Sequence, residues 1–131
     1  MVDAIKVLVI EDEPELREIL LYNFNREGFT AVGCGDGTES LNLLQQERPD
    51  VILLDLVLPG LDGWQVYARL RADHANSGIQ VIIVSAYNAD EEILRGMEFR
   101  ADDYIRKTFR LKDLIARVQA VSRRDSSSRH S

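Results

Sequence analysis

The sequence predicts an α/β fold built on a parallel sheet, and three observations carry that prediction. Five short apolar runs alternate with longer stretches whose apolar residues recur at helical spacing. Two of the runs, DVILLD (50–55) and QVIIVS (80–85), lack the polar alternation of a one-sided strand, as expected for central parallel strands covered on both faces. Charged and hydroxyl residues gather where the runs end.

The first strand is IKVLVI (5–10), and the stretch after it reads as a helix. Pro14 suits a first helical position there, and Leu16, Ile19, Leu20 and Phe24 recur at helical spacing before Gly28 ends it. TAVGC (30–34) is a weaker strand, followed by a helix with Asp36 as N-cap, Glu39 three residues on and an apolar stripe of Leu41 and Leu44. After DVILLD a third helix is expected from Gly63 to about Ala72, and after QVIIVS another from Ala89 to Phe99, presenting Ile93, Leu94 and Met97. DYI (103–105) is the fifth strand. Leu111, Leu114, Ile115, Val118 and Val121 then form a stripe on a last helix, and RRDSSSRHS reads as a polar, disordered ending.

With 131 residues, 45% of them apolar, and only three prolines, the chain is expected to form one domain with a real core. The 22 acids outnumber 16 bases, a formal charge of −6 that disfavours direct nucleic-acid contact by this domain. Cys34 is the sole cysteine, which excludes an internal disulfide, and it reads as a small buried hydrophobe. No apolar run approaches membrane-spanning length or resembles a cleavable signal, so a cytoplasmic location is expected.

Open parallel sheets bind ligands beyond the carboxyl ends of their strands. Glu11 and Asp12 follow the first strand, Asp55 closes the third, Ser85 the fourth, and Arg106 and Lys107 the fifth. Each has a structural reading as well: Asp12 or Glu13 as a helix cap, Ser85 as a cap, Lys107 as a solvated charge. Asp55 is harder to assign to packing, because a carboxylate ends an apolar strand. If Glu11, Asp12 and Asp55 meet at about 4 Å, each pair repels by roughly 4 kcal/mol at an effective dielectric near 20. A divalent cation offsets this, and hard carboxylate oxygens suit Mg²⁺ or Mn²⁺. A cation, a lysine and a hydroxyl around one carboxylate suit a phosphoryl group.

These residues resemble a known family. ED at 11 and 12, Asp55 followed by LPGLDG, SA at 85 and 86, and DDYIRK at 102–107 are similar to the receiver domains of two-component response regulators, across residues 5–124. The resemblance implies a (βα)₅ flavodoxin-like, doubly wound parallel sheet with strand order 2-1-3-4-5, a receiver domain over 1–124, and a polar tail or truncated linker at 125–131. It implies a phosphoacceptor switch in which Asp55 takes a phosphoryl group from a sensor histidine kinase. Glu11, Asp12, Asp55 and the backbone carbonyl of Val57 would hold Mg²⁺; Lys107 and Ser85 would contact the phosphoryl oxygens; Tyr104 would follow Ser85 as a switch residue. On the residues alone, Tyr104 reads as a half-buried strand aromatic. Such a protein is a signalling acceptor and not a turnover enzyme.

The ending LKDLIARVQAVSRR is similar to OmpR/PhoB-like transcription regulators, whose receivers dimerise through the face formed by the helix expected at 89–99, the last strand and the last helix. Asp102, Asp103, Asp113 and Arg117 match that pattern, whereas Ile93 stands where a basic residue is expected. No winged helix occurs in the sequence, which fits either an excised receiver or a single-domain regulator. Leu58 replaces a common methionine with little change in volume. Val57 and Tyr87 are poor at orienting water, from which slow autodephosphorylation is expected. Arg100 stands where the family has a glycine C-cap, at a cost on the order of 1 kcal/mol. Thr108 replaces a proline usually joined by a cis bond, and since cis before a non-proline costs about 2.5–4 kcal/mol, a trans bond with Lys107 still reaching Asp55 is expected.

Arg100 and Thr108 motivate an alternative, a phosphorylation-independent pseudo-receiver acting as an interaction module. A phosphatase with an aspartyl nucleophile is disfavoured, because Val57 stands where many such enzymes carry a second aspartate. No glycine-rich phosphate loop follows the first strand either.

Overall fold

The computed structural model describes residues 4–86 and 101–130, with Ser85 and 123–130 as backbone only. The expectations for the helix at 89–99, Tyr87, Ile93 and Arg100 lie outside the described residues.

Five strands, β1 (Lys6–Ile10), β2 (Thr30–Cys34), β3 (Val51–Asp55), β4 (Gln80–Ser85) and β5 (Asp103–Arg106), form one sheet in the order β2-β1-β3-β4-β5. Every neighbouring pair is parallel, so all five carboxyl ends share one edge. The order reverses at β1, which is the switch point where a ligand crevice opens in such sheets.

Four α-helices are described, α1 (Pro14–Arg26), α2 (Gly37–Glu47), α3 (Gly63–Ala72) and α4 (Leu111–His130), with a short 3₁₀ turn at His74–Asn76. Their starts follow the sequence chemistry. Pro14 opens α1; Asp36 accepts the amides of Thr38 and Glu39 before α2; Asp62 and Gln65 make a reciprocal capping box at α3. Gly28, with φ of 97°, supplies the left-handed turn that lets the chain leave α1.

Strand alternation divides the core between the two faces. Leu8, Ile10, Ile52, Leu54, Val81 and Ile83 pack with Leu44 of α2 and Val66, Tyr67 and Leu70 of α3. Val7, Val9, Val51, Leu53, Ile82 and Val84 pack with Leu20 and Phe24 of α1 and Leu114, Val118 and Val121 of α4. Cys34 belongs to the first cluster, and burial pushes its thiol up to about 11, so it behaves as an apolar side chain.

Helix α4 continues through residues 125–130, the segment expected to be a disordered tail or linker. Composition alone argues against order there, but a helix already fixed on the core by Leu114, Val118 and Val121 adds a hydrogen bond with each further residue. Among the described residues no helix is long and apolar enough to cross a membrane.

Candidate functional site

Glu11 follows β1 directly, and its amide extends the ladder to the Cys34 carbonyl at 3.0 Å. Ile10 is in register with Leu54, so the next residues, Glu11 and Asp55, stand side by side at the carboxyl edge. Both are buried, at 3% and 5% exposure, although both are acids. Asp12 is exposed on the rim. One oxygen from each of Glu11, Asp12 and Asp55 lies within 4.8 Å of the others.

Lys107 enters from β5. Its Nζ lies 2.8 Å from Glu11 Oε1 and 2.9 Å from Asp55 Oδ2, so the solvated-charge reading does not hold. Asp55 Oδ1 accepts the Val57 amide at 3.0 Å, and Glu11 Oε2 accepts the Glu13 amide at 3.1 Å. The capping reading of Glu13 fails too, since its side chain makes no cap hydrogen bond to α1. Among the described residues no buried side-chain nitrogen or oxygen lacks a partner.

The Lys107–Thr108 peptide bond is cis, which overturns the expected trans bond. That expectation weighed only the local preference of an isolated peptide. In the fold, the chain on either side of the bond is positioned by distant groups: Glu11 and Asp55 hold the Lys107 ammonium, and Phe109 packs on the α1/α4 core. The accompanying expectation, that Lys107 reaches Asp55, agrees with the 2.9 Å contact.

Burial raises the Glu11 carboxyl to about 7, with Lys107 and the Glu13 amide opposing the rise and the Asp55 charge adding to it. Burial alone would lower the Lys107 ammonium, but hydrogen bonds and charges from Glu11 and Asp55 reverse this and raise it. Three carboxylates against one ammonium leave a site short of positive charge. Hard oxygen donors with a charge deficit fit Mg²⁺ or Mn²⁺.

The remaining expected residues divide. Ser85 ends β4 in register with Arg106, its side chain lying outside the described part. Tyr104 is half-buried against the α2/α3 core, and Val57 is 56% exposed beside Asp55. Asp103 and Arg117 pair with each other at 2.8 Å, and Arg117 also donates to the Tyr104 carbonyl. Asp102 is engaged within the chain, accepting the Val81 amide at 2.7 Å and lying 3.4 Å from Arg71. Asp113 is exposed on the first turn of α4.

Sequence reasoning missed two contributors. Gly63 lets α3 start against the site: a Cβ there would come within 2.5 Å of the Asp55 carbonyl oxygen. Its signal was a glycine directly after the N-cap Asp62, where a side chain costs nothing locally. Arg17 donates to the Glu11 carbonyl at 2.7 Å, and nothing in its spacing distinguishes it from an ordinary surface arginine of α1.

Residues 7–119 match the protein family described as the response regulator receiver domain. The DNA-binding response regulator MtrA of Mycolicibacterium smegmatis is 41% identical over 120 residues, covering 92% of this chain and 51% of that protein. The chain thus spans about half the length of the curated relatives it matches. Among solved structures, the receiver domain of Francisella response regulator 1452 superposes with a TM-score of 0.82 at 34% identity, covering 91% of this chain and 97% of that one. The beryllofluoride-activated N-terminal receiver domain of RstA from Klebsiella pneumoniae gives 0.80 at 28% identity, covering 90% and 98%.

Proposed function

The chain belongs to the response regulator receiver domain family, and from that premise we propose that it is a phosphoacceptor switch modified on Asp55. The observation that carries this reading is the Lys107 ammonium 2.9 Å from Asp55 Oδ2, in a cluster where Glu11 and Asp12 also converge. An Asp55 carboxylate oxygen attacks the phosphorus of a phosphohistidine on a sensor histidine kinase. The P–O bond forms as the P–N bond breaks, and the imidazole leaves with the electron pair and gains a proton.

Lys107 orients Asp55 before transfer and pairs with phosphoryl oxygens after it. The Val57 amide holds the other Asp55 oxygen, which limits rotation of the carboxylate. A divalent cation held by Glu11, Asp12, Asp55 and the Val57 carbonyl would supply further positive charge to the transferring group. Ser85 hydrogen-bonds the added group, Tyr104 repacks in response, and the face around β5 and α4 carries the change to a partner, a second copy or an output domain. On that face Asp103, Asp113 and Arg117 offer charges to a homodimer, with Asp103 and Arg117 exchanging their present pair. Asp102 contributes less, being engaged within its own chain.

The protein acts by being modified, in the cytoplasm, and any DNA contact belongs to a separate output domain. Exposed Val57 cannot orient water on Asp55, so the aspartyl phosphate is long-lived; a half-life of seconds at neutral pH would contradict this. Lys107 within 2.9 Å of Asp55 favours the phosphoacceptor over the phosphorylation-independent alternative that Arg100 and Thr108 motivate.

Phosphotransfer to the wild type and to Asp55→Asn, followed by sizing with and without beryllofluoride, tests acceptor and dimer together. Mass gain of one phosphoryl group in the wild type only is expected. Equal labelling of both, or none with Mg²⁺ present, would overturn the proposal.

A further inference from the structure

The acid-bearing loop after β1 is held by a contact that the chemistry above does not use. Arg17, one turn into α1, reaches back and donates Nη1 to the Glu11 carbonyl at 2.7 Å. It passes over Gly35, where an added Cβ would collide with Arg17 Nη1 and lie 3.4 Å from the Glu11 carbonyl oxygen. Gly35 does not occupy the left-handed region of backbone space, so a side chain there would act by displacing the Arg17 guanidinium rather than by straining the backbone.

Two residues further on, the same turn grips the other acidic loop. The Gly37 amide donates to the Pro59 carbonyl at 3.1 Å, and a Cβ on Gly37 would collide with the Leu61 carbonyl. The segment 35–37 therefore touches the loop after β1 through Arg17 and the loop after β3 directly. The first of those loops carries Glu11 and Asp12, and the second leaves the sheet directly after Asp55, the last residue of β3.

We propose that Arg17, seated in the space left by Gly35, is a positioning residue that holds the Glu11 carbonyl and so sets Glu11 and Asp12 at the correct separation from Asp55 for a divalent cation. The proposal rests on the reading of this cluster as the metal-dependent phosphoacceptor site. Metal ligands on separate loops bind well only if their spacing is held before the metal arrives, and outer partners of ligands commonly account for tenfold or more in affinity. Arg17 bonds a backbone carbonyl and not the Glu11 carboxylate, so it fixes the loop while leaving the carboxylate oxygens to Lys107, the Glu13 amide and a cation.

Mg²⁺ titration followed by fluorescence of Trp64, the single tryptophan, tests this together with thermal unfolding in EDTA. Arg17→Ala and Gly35→Ala are each expected to weaken Mg²⁺ binding about tenfold, with unfolding temperatures in EDTA close to that of a control, Arg26→Ala. The double variant Arg17→Ala/Gly35→Ala should be no weaker than Arg17→Ala alone, since the added methyl acts only by displacing the guanidinium. Arg17→Lys, which keeps a charged donor, should recover part of the affinity. If Arg17→Ala fails to fold, Gly35→Ala carries the same expectation with every native side chain retained. Mg²⁺ affinity within twofold of wild type in folded Gly35→Ala or Arg17→Ala, or losses that simply add in the double variant, would overturn the proposal. A wild type that binds no Mg²⁺ would instead overturn the reading of the site on which it rests.

Discussion

At the amino edge of the sheet Lys6, Glu47, Asp50, Arg71 and Asp102 are each engaged by a neighbour, whereas at the carboxyl edge three carboxylates converge and one ammonium bridges two of them. Lys6 donates its amide to Asp50 Oδ2 at 2.9 Å, and its ammonium lies 3.3 Å from Glu47. Asp102 receives the Val81 amide and Arg71, and Arg71 also stacks over the Tyr67 ring at 5.5 Å. These contacts tie loops to strand starts. Across the sheet, Glu11 and Asp55 share Lys107 while Asp12 converges on them within 4.8 Å, and two of the three acids are buried. The charges named at the amino edge are matched by neighbours, while the acids at the carboxyl edge outnumber the ammonium between them. Such an excess of hard oxygen donors fits a divalent cation.

The sharpest break in that contrast comes from Asp55→Asn, which replaces one carboxylate oxygen by an amide nitrogen and, on the proposed phosphoacceptor reading, should abolish phosphoryl incorporation while leaving far-ultraviolet circular dichroism intact. Next in size is Lys107→Ala, which leaves Glu11 and Asp55 facing each other without their shared ammonium. Chemical denaturation should report a loss of about 3–5 kcal/mol, and Mg²⁺ should restore more stability to this variant than to the wild type.

The third is a dependence on pH. Glu11 is raised from 4.5 to about 7, so the folded state holds this proton more tightly than the unfolded one. Its contribution is therefore neutral below pH 4.5, becomes unfavourable as pH rises from 4.5 to 7, and is constant above. In EDTA this produces a decline on the order of 3 kcal/mol across that window, which Glu11→Gln should flatten. Mg²⁺ affinity should move the other way, weakening by up to about tenfold per unit as pH falls below 7, because binding must release the proton.

The amino edge supplies the smaller effects. Asp102→Ala should cost about 1–3 kcal/mol by leaving the Val81 amide without its acceptor, yet leave phosphoryl incorporation at the wild-type level. Lys6→Ala should cost less than about 1 kcal/mol, since its pair with Glu47 is solvent-accessible. If either changed Mg²⁺ affinity, the two edges would not be separable in the way their pairing suggests.

Most of the fold, and the convergence of four of the expected polar residues at one edge, follow from the sequence by itself. The strands at 30–34 and 80–85 and the helix from Gly63 to Ala72 agree with their expected limits, because apolar period, caps and turn glycines are local properties that the structure then obeys. Glu11, Asp12, Asp55 and Lys107 could be named in advance because parallel strands deliver their carboxyl ends to one edge, so position after a strand is already position in space. What only the tertiary structure decided depends on residues far apart in the chain. The 2.8 and 2.9 Å contacts of Lys107 to two carboxylates, the raised Glu11 carboxyl and the cis geometry before Thr108 are properties of the assembled edge, absent from any window of sequence around each residue. Arg17 belongs with them, since only the fold brings its guanidinium over Gly35 to the Glu11 carbonyl. Local pattern determines where each chemical group enters the sheet edge, and burial with long-range contact determines what that group becomes there.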